Sequence, residues 1–333
     1  MADTQNMRQM IPSRMPLGLQ IGGKIIKAFS RTGEECDKMR LISIAISHYV
    51  EKVRWALELG SIKWTEDGHL PGLHSFFTTD VTGDRSMTPC LVTRDGNAPI
   101  TDSTAILQYL CSKDPKLAFL YPEDCKKEVL EWEDYFDQEL GVPVRRYAYS
   151  HILRNKELAY KVLTADLPWI ERVMTKSFLP ELIKGLTKMI AVQLDGDDAI
   201  IESTKKIDSV LDKVAERLKE GEYICGNSFS AADLTFASLF YPVSAAALPE
   251  MWDKRMPPIE QFPEAYQEQI VKWMEHPAGK HAIKMYKEHR FKPSNTVKKI
   301  CMNNPNSRNN FMPFFLITVA FFGVGTYFLR SRI

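Results

Sequence analysis

A chain of 333 residues is long for one domain and short for three, so two packed domains with accessory segments is the first expectation. Lys and Arg number 43 against 42 Asp and Glu, a net +1 with no basic stripe interleaved with aromatics, which argues against nucleic acid as a partner. Cys36, Cys90, Cys111, Cys125, Cys225 and Cys301 form no C-x-x-C and keep no ligand spacing with a histidine pair, so no metal and a reducing compartment are expected.

The first 37 residues form a basic segment: Arg8, Arg14, Lys24, Lys27 and Arg31 precede residue 32, with Asp3 as the one acid among them. Such a stretch suits a presequence, a surface helix or a flexible arm, and Gly22-Gly23 argues against a robust helix. Arg40 to Ile46 is a nearly continuous apolar run, the pattern of a strand buried on both faces. At Ser47 the period turns helical. Val50, Val53, Ala56 and Leu57 mark an apolar side, Glu51, Lys52, Arg54 and Glu58 a polar one, and Gly60 a stop. Ile62 to Glu66 predicts a second strand, completing a right-handed parallel β-α-β unit. Thr88-Pro89 stands directly before a hairpin of Cys90 to Thr93 and Ala98 to Thr101, turned through Asp95-Gly96-Asn97. Asp102 and Ser103 then put an acid and a hydroxyl at the mouth of a helix running to about Cys111.

From Pro115 onward the strand signal stops. Helices are predicted over Lys126 to Ser150, Ser203 to Glu220, Ala231 to Ala247, Glu264 to Met274 and Gly279 to Glu288. Ser230 and Asp233 spell a capping box at the start of the third, with Phe229 and Leu234 as its staple. Phe311 to Leu329 is 19 residues without a charge, about 28 Å of helix at about 1.5 Å per residue, close to the hydrocarbon thickness of a bilayer. Lys298, Lys299 and Arg308 precede it, Arg330 and Arg332 follow, and these charges fit the interfaces of a single transmembrane helix. With four residues after Leu329 the expectation is a tail anchor with the folded part facing the cytosol. The basic flanks favour the mitochondrial outer membrane over the endoplasmic reticulum.

The β-α-β then β-β-α order, followed by helices that include Phe229-Ser-Ala-Ala-Asp-Leu-Thr-Phe236, resembles the soluble glutathione transferases from about Met39 to Arg290. The strings His69 to His74, Arg145 to Tyr149, His276 to Gly279 and Tyr286 to Arg290 are similar to a branch found mostly among bacterial members. The resemblance implies an α/β thioredoxin-like glutathione-binding domain over 38–113 and an all-α transferase C-terminal domain over 114–290. A linker over 291–310 then leads to the single C-terminal transmembrane helix over 311–329. It implies glutathione as co-substrate, an apolar electrophile as second substrate and a homodimer as an allowed assembly.

In that reading Ser47 hydrogen-bonds the glutathione thiolate at a helix N-terminus. A charged hydrogen bond of about 1.5 to 3 kcal/mol with a dipole contribution of about 0.3 to 1 kcal/mol lowers a thiol pKa by about one to three units. His48 occupies the place of a proline in members with S-P-x-x-x-x-V-R, and Tyr49 is the competing hydroxyl. A cis Thr88–Pro89 bond turns the backbone of Thr88 toward the cysteinyl amide. Ser103 receives the γ-glutamyl carboxylate and Asp102 the α-amino group. Lys63, His69, His74 and Arg85 compete for the glycyl carboxylate, and Cys90 is read as a packed strand residue rather than a nucleophile. Trp132, Tyr135, Phe136, Arg146 and Tyr149 are the candidates for the electrophile pocket. The activity implied is thiolate conjugation of the kind used in detoxification. A non-catalytic membrane-tethered binding or organelle-morphology protein and a glutathione-dependent reductase or isomerase are the alternatives.

Overall fold

The computed structural model describes residues 39–83, 87–245 and 256–290, with the backbone of a strand at 299–300. The basic segment 1–37, the apolar stretch 311–329 and Arg85 lie outside the described residues. No helix among the described residues is long and apolar enough to cross a membrane.

Strand β1 (Met39–Ser43) leads into α1 (His48–Leu59), which stops at Gly60, and β2 (Trp64–Gly68) returns parallel to β1. Helix α2 (His74–Thr82), absent from the sequence expectation, precedes β3 (Cys90–Val92), β4 (Ile100–Thr101) and α3 (Ser103–Lys113). β3 runs antiparallel to both β1 and β4. A fifth strand, β5 (Lys299–Ile300), pairs parallel with β2 from within the segment read as a linker, giving the order β4-β3-β1-β2-β5. This is the thioredoxin-like arrangement expected from the element order, with one strand added at its edge.

The rest is helical. A 3-10 turn (Pro115–Leu120) leads to α4 (Lys126–Phe136), a π turn (Asp137–Gly141) and α5 (Val142–Ile152). Pro143 has no N–H to donate into the helix and its ring crowds the preceding carbonyls, so the expected single helix gives way to a π turn at that point. α6 (Lys156–Leu163) and α7 (Trp169–Met189) fill a stretch where no helix is predicted, because Pro168, Pro180 and Gly185 break the pattern. α8 (Asp198–Arg217), α9 (Ala231–Ser244), α10 (Glu264–Glu275) and α11 (Pro277–Met285), which ends in a second π turn to Arg290, follow the expectation closely. Every residue of α9 is buried, and an all-round apolar helix of this kind is the axis of the domain. Ser230 and Asp233 form the expected capping box, and Asp233 also accepts Ile224 N–H at 2.9 Å and lies 2.9 Å from His281 Nε2.

One expectation fails at α1. Glu51, Lys52 and Arg54 are buried rather than solvated, on a helix that packs between its own sheet and the helical domain. The charges survive by pairing. Arg54 reaches Glu66, Glu51 and the Ala45 carbonyl, while Arg290 from the last turn of the helical domain holds Glu51 at 3.0 Å and Glu58. Polar residues on a helix therefore mark the seam between the two domains here, not the surface.

A second buried tie crosses the same seam. His69 is fully buried, with Nδ1 2.7 Å from Glu171 Oε1 on α7 and Nε2 3.1 Å from Asp67 Oδ1. Its ring stacks on Phe77, and Leu70 N–H donates to the other Glu171 oxygen at 2.9 Å. Burial by itself lowers the imidazole pKa, but Glu171 and Asp67 together outweigh it and raise the value to about 9. The folded value lies above the unfolded one of about 6.5, so the contribution to stability is complete below about pH 6.5 and lost as pH rises through about 9. Urea unfolding at about pH 6.5 and about pH 9.5 should show the midpoint falling in the parent and falling less in His69→Gln. Equal falls in both proteins would remove His69 as the titrating tie.

Candidate active site

The C-terminal end of β1, the start of β3 and the end of β4 meet at one end of the sheet. Ile42 pairs with Cys90 and Cys90 with Thr101, which brings the β1–α1 loop, Pro89 and Asp102 together there. Ser47 occupies the N-cap of α1 in extended conformation, and its carbonyl accepts Glu51 N–H at 3.0 Å. Its hydroxyl makes no capping bond, so the ordinary structural role of an N-cap serine is not taken. The Thr88–Pro89 bond is cis, as expected. Ser47 and Thr88 line one cavity of about 100 Å³ between the two domains.

Asp102 and Ser103 do not line that cavity. Asp102 is exposed and caps α3, its Oδ1 accepting Ala105 N–H at 2.9 Å, and its backbone has φ 138°, a region that side-chain-bearing residues rarely occupy. Ser103 is buried beside it. Beneath this helix mouth lies an ion cluster assembled from both domains. Lys52 Nζ lies 2.9 Å from Glu133 Oε1 and donates to Thr104 Oγ1 at 2.7 Å, while Thr104 reaches Asp137 Oδ2 at 3.3 Å. Burial raises the Asp137 carboxyl pKa, against the pull of Lys52. The helix that would meet the γ-glutamyl end is thus braced by charges from α1, α4 and the π turn.

The π turn also fixes the residues after Ser47. His48 Nε2–H donates to the Gly141 carbonyl at 2.9 Å, and burial with nearby Arg145 pushes its pKa down to about 3, so the ring is neutral at ordinary pH. Tyr49 gives its hydroxyl to the Asp137 carbonyl at 3.3 Å, and burial raises its pKa. Cys90 is fully buried with its thiol pushed up to about 12 by burial, consistent with a packing role.

Of the residues considered for a glycyl carboxylate, His69 is withdrawn, because both ring nitrogens are engaged with Asp67 and Glu171. His74 Nδ1 accepts Gly72 N–H at 3.0 Å, and Lys63 is exposed just before β2. The electrophile candidates also divide. Trp132 and Tyr135 take the Lys213 ammonium on their faces, Phe136 packs on Phe236, and Arg146 pairs with Glu202 at 2.6 Å. Tyr149 alone of the five lines the cavity, and beside it stands Arg145, which sequence reasoning passed over for its neighbour. Among the described residues no cluster suited to a metal ion occurs.

The chain matches the model of the glutathione S-transferase N-terminal domain over residues 41–117 and that of the glutathione S-transferase C-terminal domain over residues 168–265, together more than half its length. It belongs to the glutathione S-transferase superfamily, with a thioredoxin-like N-terminal and a helical C-terminal domain. Among solved structures it is similar to a glutathione S-transferase-I bound with lactoylglutathione, at 17% identity over 74% of this chain and 99% of that one, TM-score 0.44. A glutathione transferase from Pseudomonas putida with one glutathione disulfide per subunit shares 16% identity over 75% and 92% of the two chains, TM-score 0.43. The theta class glutathione S-transferase of Xanthomonas axonopodis pv. citri with glutathione bound shares 15% over 74% and 97%, TM-score 0.42. No curated protein sequence matches the chain.

Proposed function

We propose that the protein is a glutathione transferase that joins the glutathione thiolate to an apolar electrophile and is held at a membrane by its apolar C-terminal stretch. The observation that carries the reading is Ser47, whose hydroxyl is unspent as a helix cap and which lines the same cavity as Thr88 of the cis pair. The family membership supports glutathione as the thiol. Its extended peptide suits the edge at Thr88, with its γ-glutamyl end at the mouth of α3, where Ser103 would receive the carboxylate and Asp102 the α-amino group. Ser47 at the N-terminus of α1 favours the ionised thiol, whose proton passes to solvent. On an aryl halide the sulfur forms a C–S bond, the carbon–halogen bond breaks, and the halide leaves with the electron pair.

Titration of glutathione into the protein, with turnover of chlorodinitrobenzene alongside, tests this. Ser47→Ala should raise the apparent pKa of bound glutathione, followed by thiolate absorbance, and change its affinity much less. Asp102→Ala should weaken glutathione by about 1.5 to 3 kcal/mol and also cost about 0.5 to 2 kcal/mol of stability, because the carboxylate caps α3. Asp102→Asn keeps a capping oxygen and should separate the two losses. A Ser47→Ala protein with an unaltered thiolate pKa would take Ser47 out of the mechanism. Glutathione binding without turnover would favour a non-catalytic, membrane-tethered role, and deglutathionylation or isomerisation a reductase or isomerase.

The membrane part of the proposal rests on residues 311–329 and their basic flanks. Deleting residues 310–333 should move the protein from a carbonate-resistant pellet to the soluble fraction with glutathione affinity intact. Carbonate extraction of the full chain would overturn the anchor. The mitochondrial outer membrane remains the favoured location, with the domains facing the cytosol.

A further inference from the structure

The cavity beside Ser47 is walled mainly by apolar side chains, and one cation stands among them. Arg145, Ala148, Tyr149 and Ile152 follow each other at helical spacing along α5, and all four line the cavity. Among the described residues no carboxylate lines it. Arg145 Nε is buried with no hydrogen-bond partner among the described residues. The neighbouring cations are spent elsewhere, Arg146 on Glu202 and Arg154 on Asp197 at 2.8 Å. Arg145 also makes itself felt on the residues around the cavity, holding the Tyr49 and Tyr149 phenols below where burial alone would set them and helping to keep His48 neutral.

A guanidinium cation held in such a wall decides what can enter. A purely apolar ligand would strip water from it and leave it unpaired, whereas a ligand with a carboxylate or sulfonate would pair with it through a two-pronged, charge-assisted contact. In the transferase reading glutathione's own γ-glutamyl carboxylate goes outside this cavity, to the mouth of α3, whose Asp102 and Ser103 do not line it. Resting on the transferase reading above, we infer that the preferred electrophile carries a compact anionic group seated on Arg145. Its apolar body lies against Ile152, Leu186 and Ile190, and its reacting carbon points toward the sulfur at Ser47. Arg145 is then the residue that selects anionic electrophiles over neutral ones of the same reactivity.

The test compares chlorodinitrobenzoate with chlorodinitrobenzene, which react with glutathione by the same substitution and differ by one carboxylate. With each kcat/KM divided by the spontaneous rate, the protein should prefer the benzoate by about tenfold or more. Arg145→Gln should bring that ratio close to one, and Arg145→Lys should keep part of it. An unchanged ratio in Arg145→Gln would overturn the inference. So would a loss of glutathione affinity in that variant with the ratio preserved, since Arg145 would then hold the peptide. Should neither halide be turned over, calorimetric binding of the two preformed glutathione conjugates replaces the rates. A preference for the carboxylated conjugate that vanishes in Arg145→Gln supports the anion seat even as the transferase reading fails, and equal affinities in the parent overturn it.

Discussion

Replacing Lys52 by methionine is expected to destabilise the protein by about 3 to 5 kcal/mol, the cost of removing one partner from a buried ion pair. Lys52 is fully buried, and Glu133, with 1% of its surface exposed, is its nearest anion. Without the ammonium, Glu133 and Asp137 would share a water-poor space with only the neutral hydroxyls of Thr104, Thr235 and Tyr121, and both carboxylates would resist ionisation. Two further results follow. The double variant Lys52→Met, Glu133→Gln should be more stable than the single one, because the uncompensated charge leaves with its partner. The deficit of the single variant should also shrink as pH falls, since its folded state would bind protons on those carboxylates at a pH where the unfolded chain does not. Urea unfolding of the three proteins at two pH values measures all of this. A loss below about 1 kcal/mol for Lys52→Met would mean that the cluster is wetter than its burial indicates. Because the cluster braces the mouth of α3, glutathione affinity should fall in the same variant.

Gly279→Ala should be destabilising by about 3 kcal/mol, at the upper end of what overpacking costs. Gly279 lies in the first turn of α11, which begins immediately after α10, and an added methyl there would meet the Trp273 carbonyl oxygen at 1.9 Å and the Trp273 carbonyl carbon at 2.9 Å. Both are backbone atoms of a helix that cannot retreat. Trp273 is buried against Tyr147 and donates its indole N–H to Asp208 at 2.7 Å. Gly141→Ala provides the contrast. There the methyl would meet the Tyr49 hydroxyl at 2.2 Å and its ring carbon Cζ at 2.8 Å, atoms of a side chain that can shift at the cost of its hydrogen bond to Asp137, whereas a helix backbone cannot. The expected ordering of denaturation midpoints is therefore parent, then Gly141→Ala, then Gly279→Ala, and the reverse order of the two variants would contradict the argument.

Much of the fold was legible because its signals are local. A strand buried on both faces reads as an apolar run, the switch of period at Ser47 marks a helix, and Ser230 with Asp233 announces α9 by chemistry that acts within four residues. The same holds for Ser47, Thr88-Pro89 and Asp102-Ser103, since each sits at the end of a strand or the mouth of a helix. α2, α6 and α7 were not legible. Pro168, Pro180 and Gly185 weaken the local preference, and these helices exist because they cover the sheet or pack on α5 and on each other.

By itself the sequence determined the order β1-α1-β2 and β3-β4-α3, the capping box that opens α9 and the family the chain resembles, all of which depend on neighbours along the chain. Which polar groups are buried was decided by tertiary structure. Glu51, Lys52 and Arg54 look like a solvated helix face until Arg290, Glu133 and Glu66 close on them, and His69 looks like a free ligand until Asp67 and Glu171 do the same. The choice between Arg145 and Arg146 was decided in the same way. A π turn takes up one residue more than an α turn, so the helix after Gly141 presents a face rotated by about 100° from the one an unbroken period would project. That rotation turns Arg146 toward Glu202 and Arg145 toward the cavity.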